Sequence, residues 1–139
     1  MKYVFPAIIK YVKNDNNFLN GIYEVSFPDL EGCLTFGETI EQAFINAQDA
    51  LNGMLWTLED DKTQIIPTAS DFKSIKCDKD SIITLVDADT LEYRKKYDTK
   101  AIKKTLTIPA WLNTKAIENE INFSNALQEI LLKKLGLEQ

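Results

Sequence analysis

The 139-residue sequence contains no histidine, and this absence excludes several kinds of catalytic and metal site. It excludes Ser-His-Asp and Cys-His nucleophile systems, histidine general bases, and zinc sites that use imidazole. The two cysteines, Cys33 and Cys77, form no CxxC pair, and two thiolates alone cannot complete a four-ligand zinc site. We expect two reduced, packed thiols, no metal and no other cofactor, which favours a cytoplasmic protein.

Long hydrophobic runs are missing as well. Pro6 and Lys10 interrupt the apolar start of the chain, no small-residue cleavage site follows, and no run approaches the ~18 apolar residues that span a bilayer. We therefore expect a chain that is neither exported nor embedded in a membrane. Glycine (5) and proline (4) are few, and with 45% hydrophobic residues the composition is that of an ordinary globular protein.

Charge is distributed unevenly along the chain. Residues 1–90 hold seven basic and fifteen acidic side chains, a balance of -8, whereas residues 91–139 hold nine basic and six acidic ones, a balance of +3. An acidic body with a basic tail indicates two modules with different partners. A basic partner suits the first module, and a polyanion suits the second.

The first module has the pattern of an α+β domain. Residues 1–13 and 21–28 are predicted as two antiparallel strands, because the turn formers of 14–21 end in Asn-Gly between them. Residues 39–58 have apolar positions at helical spacing, with Thr39 and Gln42 as a capping box. We expect this helix to fray at the acidic run Glu59-Asp60-Asp61, which the helix dipole disfavours. The apolar run 81–86 is predicted as a buried strand, which completes a β-β-α-β order over residues 1–88.

The remainder of the chain is predicted to form a linker and a small second module. The linker is predicted over 89–101 and the module over 102–139. Residues 104–108 alternate as a strand, and Pro109 suits the first turn of a helix over 110–121. We expect Leu112, Ala116 and Ile117 to face inward on that helix. Ser124 is predicted to cap a second helix that ends at Leu135 and Gly136.

The second module is too small to fold alone. At ~35 residues it lies below the ~40 that usually support a core, and its single strand has no partner for its backbone groups. A second copy solves both problems if the two strands pair as an antiparallel ribbon and four helices share one core. The sequence therefore predicts a homodimer of ribbon-helix-helix architecture, whose ribbon fits the major groove of double-stranded DNA. Whether dimers pair further is left open.

Two motifs resemble the HicB family of antitoxins. The first is FPDLEGC at 27–33 followed by TFGETIEQAFINAQDAL at 35–51, and the second is KKTLTIPAWL and NFSNALQEILLKKLGL within 103–137. The resemblance implies a type II antitoxin and not an enzyme. Its N-terminal domain, a reduced RNase H-like fold, would bind and neutralise a small mRNA-cleaving toxin, HicA. Its C-terminal ribbon-helix-helix would bind the operator of its own operon and repress it.

Candidate partner-binding residues follow from charge and from strand alternation. For a toxin with a basic RNA groove we select the acidic residues Asp29, Glu31 and Glu38, together with the nearby face of the sheet. In the predicted ribbon, Leu106 and Ile108 face the dimer core, so the alternate side chains face DNA. The side chains facing DNA are Lys103, Thr105 and Thr107. At the start of the last helix, the backbone amides of Ser124 and Asn125 suit a phosphate.

Three alternatives stay open at this point. The chain could be a stand-alone repressor of the same fold without a toxin. It could also be a metal-dependent nuclease that gathers the carboxylates of Glu24, Asp29, Glu31 and Glu38. The basic run 94–96 is either a solvated part of the linker or a phosphate contact.

Overall fold

The structure is a computed structural model that describes residues 1–138 except 14, 15 and 17. It divides into two compact units, residues 1–100 (unit 1) and residues 101–139 (unit 2). The boundary lies at the end of the segment 89–101 that the sequence predicted as a linker.

Unit 1 is a four-stranded antiparallel sheet with helices on one side. The strand order is β3-β2-β1-β4, so β3 and β4 are the two edges. Its elements are β1 (Lys2–Val12), β2 (Ile22–Ser26), β3 (Leu34–Gly37), α1 (Ile40–Asp60), a 3₁₀ turn (Phe72–Ser74), β4 (Ser81–Asp89) and α2 (Thr90–Tyr97). The predicted antiparallel pairing of β1 with β2 is confirmed, with Ile9 opposite Val25. The turn predicted between them lies partly outside the described residues.

The core lies between α1 and one face of the sheet, which we call the covered face. Apolar residues recur every four positions along α1, and all four are fully buried: Ala43, Ala47, Leu51 and Leu55. They pack on alternate strand residues such as Phe5, Val25 and Val86. Gly37 is needed at the close approach of β3 to α1, because a Cβ there would lie 2.2 Å from the Ala43 nitrogen. The opposite face of the sheet, which we call the open face, carries Ile8, Glu24, Phe36 and Leu85.

Helix α1 begins as predicted but does not end as predicted. Thr39 is its N-cap and accepts a hydrogen bond from the Gln42 amide, as the capping box requires. The prediction that the helix frays at its acidic end was wrong, since α1 continues through Asp60. The physical reason is Arg94, whose guanidinium lies 3.0 Å from Glu59 and 2.9 Å from Asp60 and offsets the unfavourable dipole.

Two elements of unit 1 differ from the sequence prediction. Strand β3 was missed because its four residues, LTFG, follow a tight turn and are too few for a clear alternation. Where a linker was predicted over 89–101, the structure has helix α2, capped by Asp89 and packed against α1. The predicted strand 81–86 is longer than expected and extends to Asp89.

Unit 2 contains the two predicted helices, α3 (Ala110–Glu118) and α4 (Phe123–Lys134). Gly136 ends α4 with a φ of 66°, the left-handed conformation expected of a C-terminal glycine. The prediction that Ser124 caps α4 was wrong, because Asn122 is the N-cap and its side chain accepts from the Asn125 amide. Ser124 instead lies in the first turn of the helix.

The segment 101–109 has no regular hydrogen-bonded structure in the single chain. The strand predicted over 104–108 is therefore not formed here, since one strand without a partner has nothing to complete its ladder. The expectation that Leu112 and Ile117 point inward is also not met within one copy, where they are 41% and 59% exposed. Ala116 is buried as expected.

Candidate functional site

A tight turn between β2 and β3, residues 27–33, carries two of the three acidic residues selected for a protein partner. The turn is closed by hydrogen bonds from the Leu30 amide to the Phe27 carbonyl (3.1 Å) and from the Cys33 amide to the Leu30 carbonyl (3.0 Å). Gly32 has a φ of 81°, a conformation that favours glycine. Burial of Phe27, Leu30 and Cys33 anchors the turn to the core and leaves Glu31 exposed on its outer side.

Asp29 has a structural contact within the same unit. Its carboxylate accepts hydrogen bonds from the Ser70 amide (2.9 Å) and from the Ser70 hydroxyl. These bonds hold the segment after α1 against the β2–β3 turn. Asp29 is half-buried, so its carboxylate is less available to a partner than that of Glu31.

Glu38 lies at the other end of β3. The strand separates it from the turn that holds Asp29 and Glu31 by roughly 10 Å or more at 3.3 Å per residue. The structure therefore brings Asp29 and Glu31 together and places Glu38 apart. Glu24, on the neighbouring strand, faces the same side of the sheet as Phe36 and is exposed.

The open face beside these carboxylates is apolar and accessible. Leu34 is 68% exposed and Phe36 is 45% exposed, although both belong to a strand. A groove of about 520 Å³ runs along this face between the strands and the segment 76–78. Large apolar side chains exposed together on a sheet are typical of a protein-binding surface. Because β3 itself was missed, the sequence did not identify Leu34 and Phe36 as the apolar residues of this face.

The cysteines and carboxylates do not form a reactive centre in the part of the chain that the structure describes. Cys33 is buried, and burial raises the pKa of its thiol to about 11, which disfavours the reactive thiolate. Cys77 is exposed, so the expectation of two packed thiols holds for Cys33 alone. Within the described ranges, no group of three or more carboxylates and cysteines could hold a metal ion.

In unit 2 the side chains selected for DNA binding are all exposed. Lys103, Thr105 and Thr107 belong to the segment 101–109, where strand alternation would place them on one side. At the start of α4, the Asn125 amide is already bonded to the Asn122 side chain at 3.1 Å. A phosphate at this helix end would therefore meet the amides of Phe123 and Ser124, the first two of the helix.

The basic run 94–96 belongs to unit 1. Arg94 binds Glu59 and Asp60, and its guanidinium carbon lies 5.1 Å from the centre of the Trp56 ring. Lys95 pairs with Glu92 at 2.6 Å within α2. Two of the three basic side chains thus have intramolecular carboxylate partners, which supports a structural role over a phosphate contact. Among the described helices, none is both long and apolar enough to cross a membrane.

Comparison with known proteins gives consistent matches over both units. The family described as HicB-like antitoxin of bacterial toxin–antitoxin systems matches residues 5–133. A 14.9 kDa protein from the rep–hol intergenic region of Haemophilus phage HP1 is 35% identical over 101 residues, which are 68% of this chain and 69% of the phage protein.

Solved structures agree with the family match. A chain of a toxin–antitoxin complex from Streptococcus pneumoniae is similar with a TM-score of 0.60 and 30% identity, covering 96% of this chain and 99% of that one. The antitoxin HicB of Burkholderia pseudomallei has the same fold at a TM-score of 0.50 and 23% identity, covering 96% and 98%. Since the family match extends over both units, the chain belongs to the HicB-like antitoxins of bacterial toxin–antitoxin systems.

Proposed function

We propose that this antitoxin acts in the cytoplasm as a binding protein with two partners. Unit 1 binds and neutralises a HicA-like mRNA-cleaving toxin, and unit 2 dimerises as a ribbon-helix-helix that binds operator DNA and represses its own operon. The observation that carries the proposal is that the antitoxin family matches residues 5–133, through both units. The similar Streptococcus pneumoniae chain comes from a toxin–antitoxin complex, which supports a toxin as the partner of unit 1.

The exposed apolar residues of unit 2 support its dimerisation. Side chains that would form a core are between 41% and 68% exposed in one copy, and they include Leu106, Ile108, Leu112, Ile117, Ile130, Leu131 and Leu135. A second copy would cover these residues and would pair the segment 104–108 as a two-stranded ribbon. A ribbon of this kind presents Lys103, Thr105 and Thr107 from both copies to the major groove.

The open face at β3 is the toxin-binding surface in this proposal. Leu34 and Phe36 supply its apolar centre, while Glu24, Glu31 and Glu38 surround them with negative charge. Protein interfaces commonly combine an apolar centre with a polar rim. A toxin that binds RNA needs a basic groove, which an acidic rim would attract and cover.

Co-purification of the full chain with its co-expressed toxin tests the toxin-binding surface. Leu34→Lys should weaken toxin capture at least tenfold, since it buries a positive charge at the centre of the interface. Val4→Lys is the matched control, because Val4 is a similarly exposed apolar residue of the open face but lies on β1. Equal capture by the wild type and Leu34→Lys would contradict this location, and no capture by the wild type would contradict toxin binding.

A gel-shift titration with operator DNA at fixed salt tests the ribbon. Thr105→Ala combined with Thr107→Ala should remove sequence preference, at roughly 1–3 kcal/mol per lost base contact, and should leave dimerisation and toxin binding intact. Lys103→Ala should lower the salt dependence of binding if it contacts a phosphate. Full operator affinity in the double variant would overturn the proposed mode of DNA recognition.

A further inference from the structure

Unit 1 has a second cavity on the helix side of its sheet, which we call the helix cleft. It has a volume of about 430 Å³ and lies between the β2–β3 turn, α1 and α2. The residues that line it include Gly32, Leu34, Asp49, Gly53 and Tyr93. Its lining thus comes from three elements that the fold brings together, and none of the residues selected from the sequence belongs to it.

The helix cleft is continuous with the proposed toxin-binding surface through Leu34. This side chain lines both the groove of the open face and the helix cleft. Glu31, which is exposed on the outer side of the β2–β3 turn, directly precedes Gly32 of the cleft. A partner that covers Leu34 on the open face therefore also reaches the helix cleft around the start of β3.

Gly53 is the residue of the cleft that packing within unit 1 does not explain. It lies in the interior of α1, where glycine is less favourable than every residue except proline. Among the described residues, a Cβ at this position would meet no atom closer than the Tyr93 hydroxyl at 3.8 Å. Gly37 differs, because a Cβ there would lie 2.2 Å from the Ala43 nitrogen. A glycine that costs helix stability without an internal packing reason indicates that a group from outside approaches the helix backbone.

The chemistry of the helix cleft favours a basic side chain. Asp49 is exposed, and its Oδ1 accepts a hydrogen bond from the Tyr93 hydroxyl at 3.0 Å. Within the described part of the chain, no hydrogen bond or ion pair reaches its Oδ2. The carboxylate of Asp29, by contrast, is bonded to Ser70 through both oxygens. Met54 lines the same cleft and offers an apolar surface for the methylene stem of a lysine or arginine.

We infer that the helix cleft receives a lysine or arginine side chain of the toxin, with the cation at Asp49 and the methylene stem over Gly53. This inference rests on the proposed function, because it adds a second contact to the same interface. A toxin that binds RNA carries basic side chains on its surface, and the balance of -8 over residues 1–90 attracts them. The antitoxin thus contacts its toxin on the open face and also beside α1.

Titration of the purified toxin with full-length variants tests whether the helix cleft is occupied. Gly53→Leu places a side chain in the cleft and should weaken toxin binding roughly 5- to 150-fold, as overpacking of a contact does. Gly53→Ala should weaken binding by a smaller factor while raising the melting temperature, so the loss cannot be assigned to unfolding. Phe44→Trp is the matched control, because it enlarges an exposed apolar side chain of α1 outside the cleft and should leave binding unchanged.

The outcomes separate this inference from the proposed function. If the wild type binds no toxin, toxin binding itself is contradicted. If the wild type and Gly53→Leu bind the toxin equally, the helix cleft is not part of the interface, while the open face stays in place. If Gly53→Leu changes the sedimentation of the antitoxin alone and not its toxin binding, a second copy occupies the cleft and the inference is wrong. Should Gly53→Leu fail to fold, Gly53→Ala decides the question, since it adds only a methyl group.

Charge removal tests whether the bound group is basic. Asp49→Asn keeps an oxygen that accepts from Tyr93 and should weaken toxin binding roughly tenfold or more. Glu41→Gln removes an equal charge from an exposed position of α1 outside the cleft and should leave binding unchanged. Replacing the exposed lysines and arginines of the toxin by alanine, one at a time, should identify one whose loss has no further effect on binding to Asp49→Asn. If each replacement weakens binding to Asp49→Asn as much as binding to the wild type, the cleft does not bind a basic side chain.

Discussion

Arg94 joins α2 to the carboxyl end of α1, and we predict that its replacement destabilises unit 1. Its guanidinium lies 3.0 Å from Glu59 Oε2, 2.9 Å from Asp60 Oδ1 and above the ring of Trp56. The side chains of Arg94 and Glu59 are only 26% and 20% exposed. This pair is therefore partly removed from water, unlike the other ion pairs in the described part of the chain.

The expected loss of stability on replacing Arg94 lies between the values for exposed and for buried ion pairs. An exposed pair contributes about 0–1 kcal/mol, whereas removing one partner of a buried pair costs about 3–5 kcal/mol. With a contribution of about 0.5–1 kcal/mol from the aromatic ring, Arg94→Gln should lower the free energy of unfolding by about 1–3 kcal/mol. Lys95→Gln is the matched control, because its exposed pair with Glu92 within α2 contributes no more than about 0.5 kcal/mol.

The effect of Arg94→Gln should also depend on pH. Burial raises the pKa of Glu59, but hydrogen bonds donated to its carboxylate outweigh burial and hold that pKa below its usual value. The donors are Thr90, Arg94 and Tyr3. The Arg94 hydrogen bond likewise lowers the pKa of Asp60. A carboxyl with a lowered folded pKa stabilises the fold above its unfolded pKa, about 4, and loses this contribution as pH falls.

Urea unfolding of the full chain measures both effects. Trp111→Phe leaves Trp56 as the fluorescent reporter, so the signal follows unit 1. The free-energy difference between Arg94→Gln and Lys95→Gln should be largest near neutral pH and should shrink below about pH 4. Two variants that unfold within about 0.5 kcal/mol of each other at neutral pH would refute the reasoning, since that is the range of ordinary surface substitutions.

Four further substitutions test local features of both units. Gly37→Ala should prevent stable folding, because its Cβ would lie 2.2 Å from the Ala43 nitrogen. Gly53→Ala should stabilise α1, because its Cβ would meet no atom closer than 3.8 Å and alanine favours the helix. Thermal melting should therefore give a lower melting temperature for the first variant and a higher one for the second. Asn122→Ala removes the N-cap of α4 and should destabilise this helix by about 1 kcal/mol. The loss should appear as reduced helical signal in circular dichroism. Leu127→Asp should abolish operator binding by disrupting the unit 2 dimer, and a gel shift that remains unchanged would contradict the proposed core.

The sequence predicted those elements whose signals are local. Helix α1 has both a capping box and a sustained apolar spacing, so its start was predicted to the residue. Local signals could not show that α1 continues through its acidic end, nor that α2 exists. Both depend on Arg94 meeting Glu59 and Asp60, a contact between residues about 35 positions apart, and α2 has few apolar side chains of its own. The strand predicted over 104–108 would need a partner strand to complete its hydrogen bonds, and it is not formed in the single copy.

The candidate toxin surface shows why net charge alone does not locate an interface. Unit 1 is acidic, but several of its carboxylates already have partners within the unit. Asp29 accepts hydrogen bonds from Ser70, and Asp49 accepts one from the Tyr93 hydroxyl. Glu59 and Asp60 form ion pairs with Arg94, and Asp61 accepts a hydrogen bond from the Thr63 amide just after α1. Among the described residues, the carboxylates of Glu24, Glu31 and Glu38 accept no such hydrogen bond and form no ion pair. Since a satisfied carboxylate must give up a bond to engage a partner, Glu24, Glu31 and Glu38 can engage a toxin at a lower cost than Asp29 can. On this criterion Glu31 and Glu38, both selected from the sequence, remain predicted toxin contacts, whereas the carboxylate of Asp29 is already bonded to Ser70.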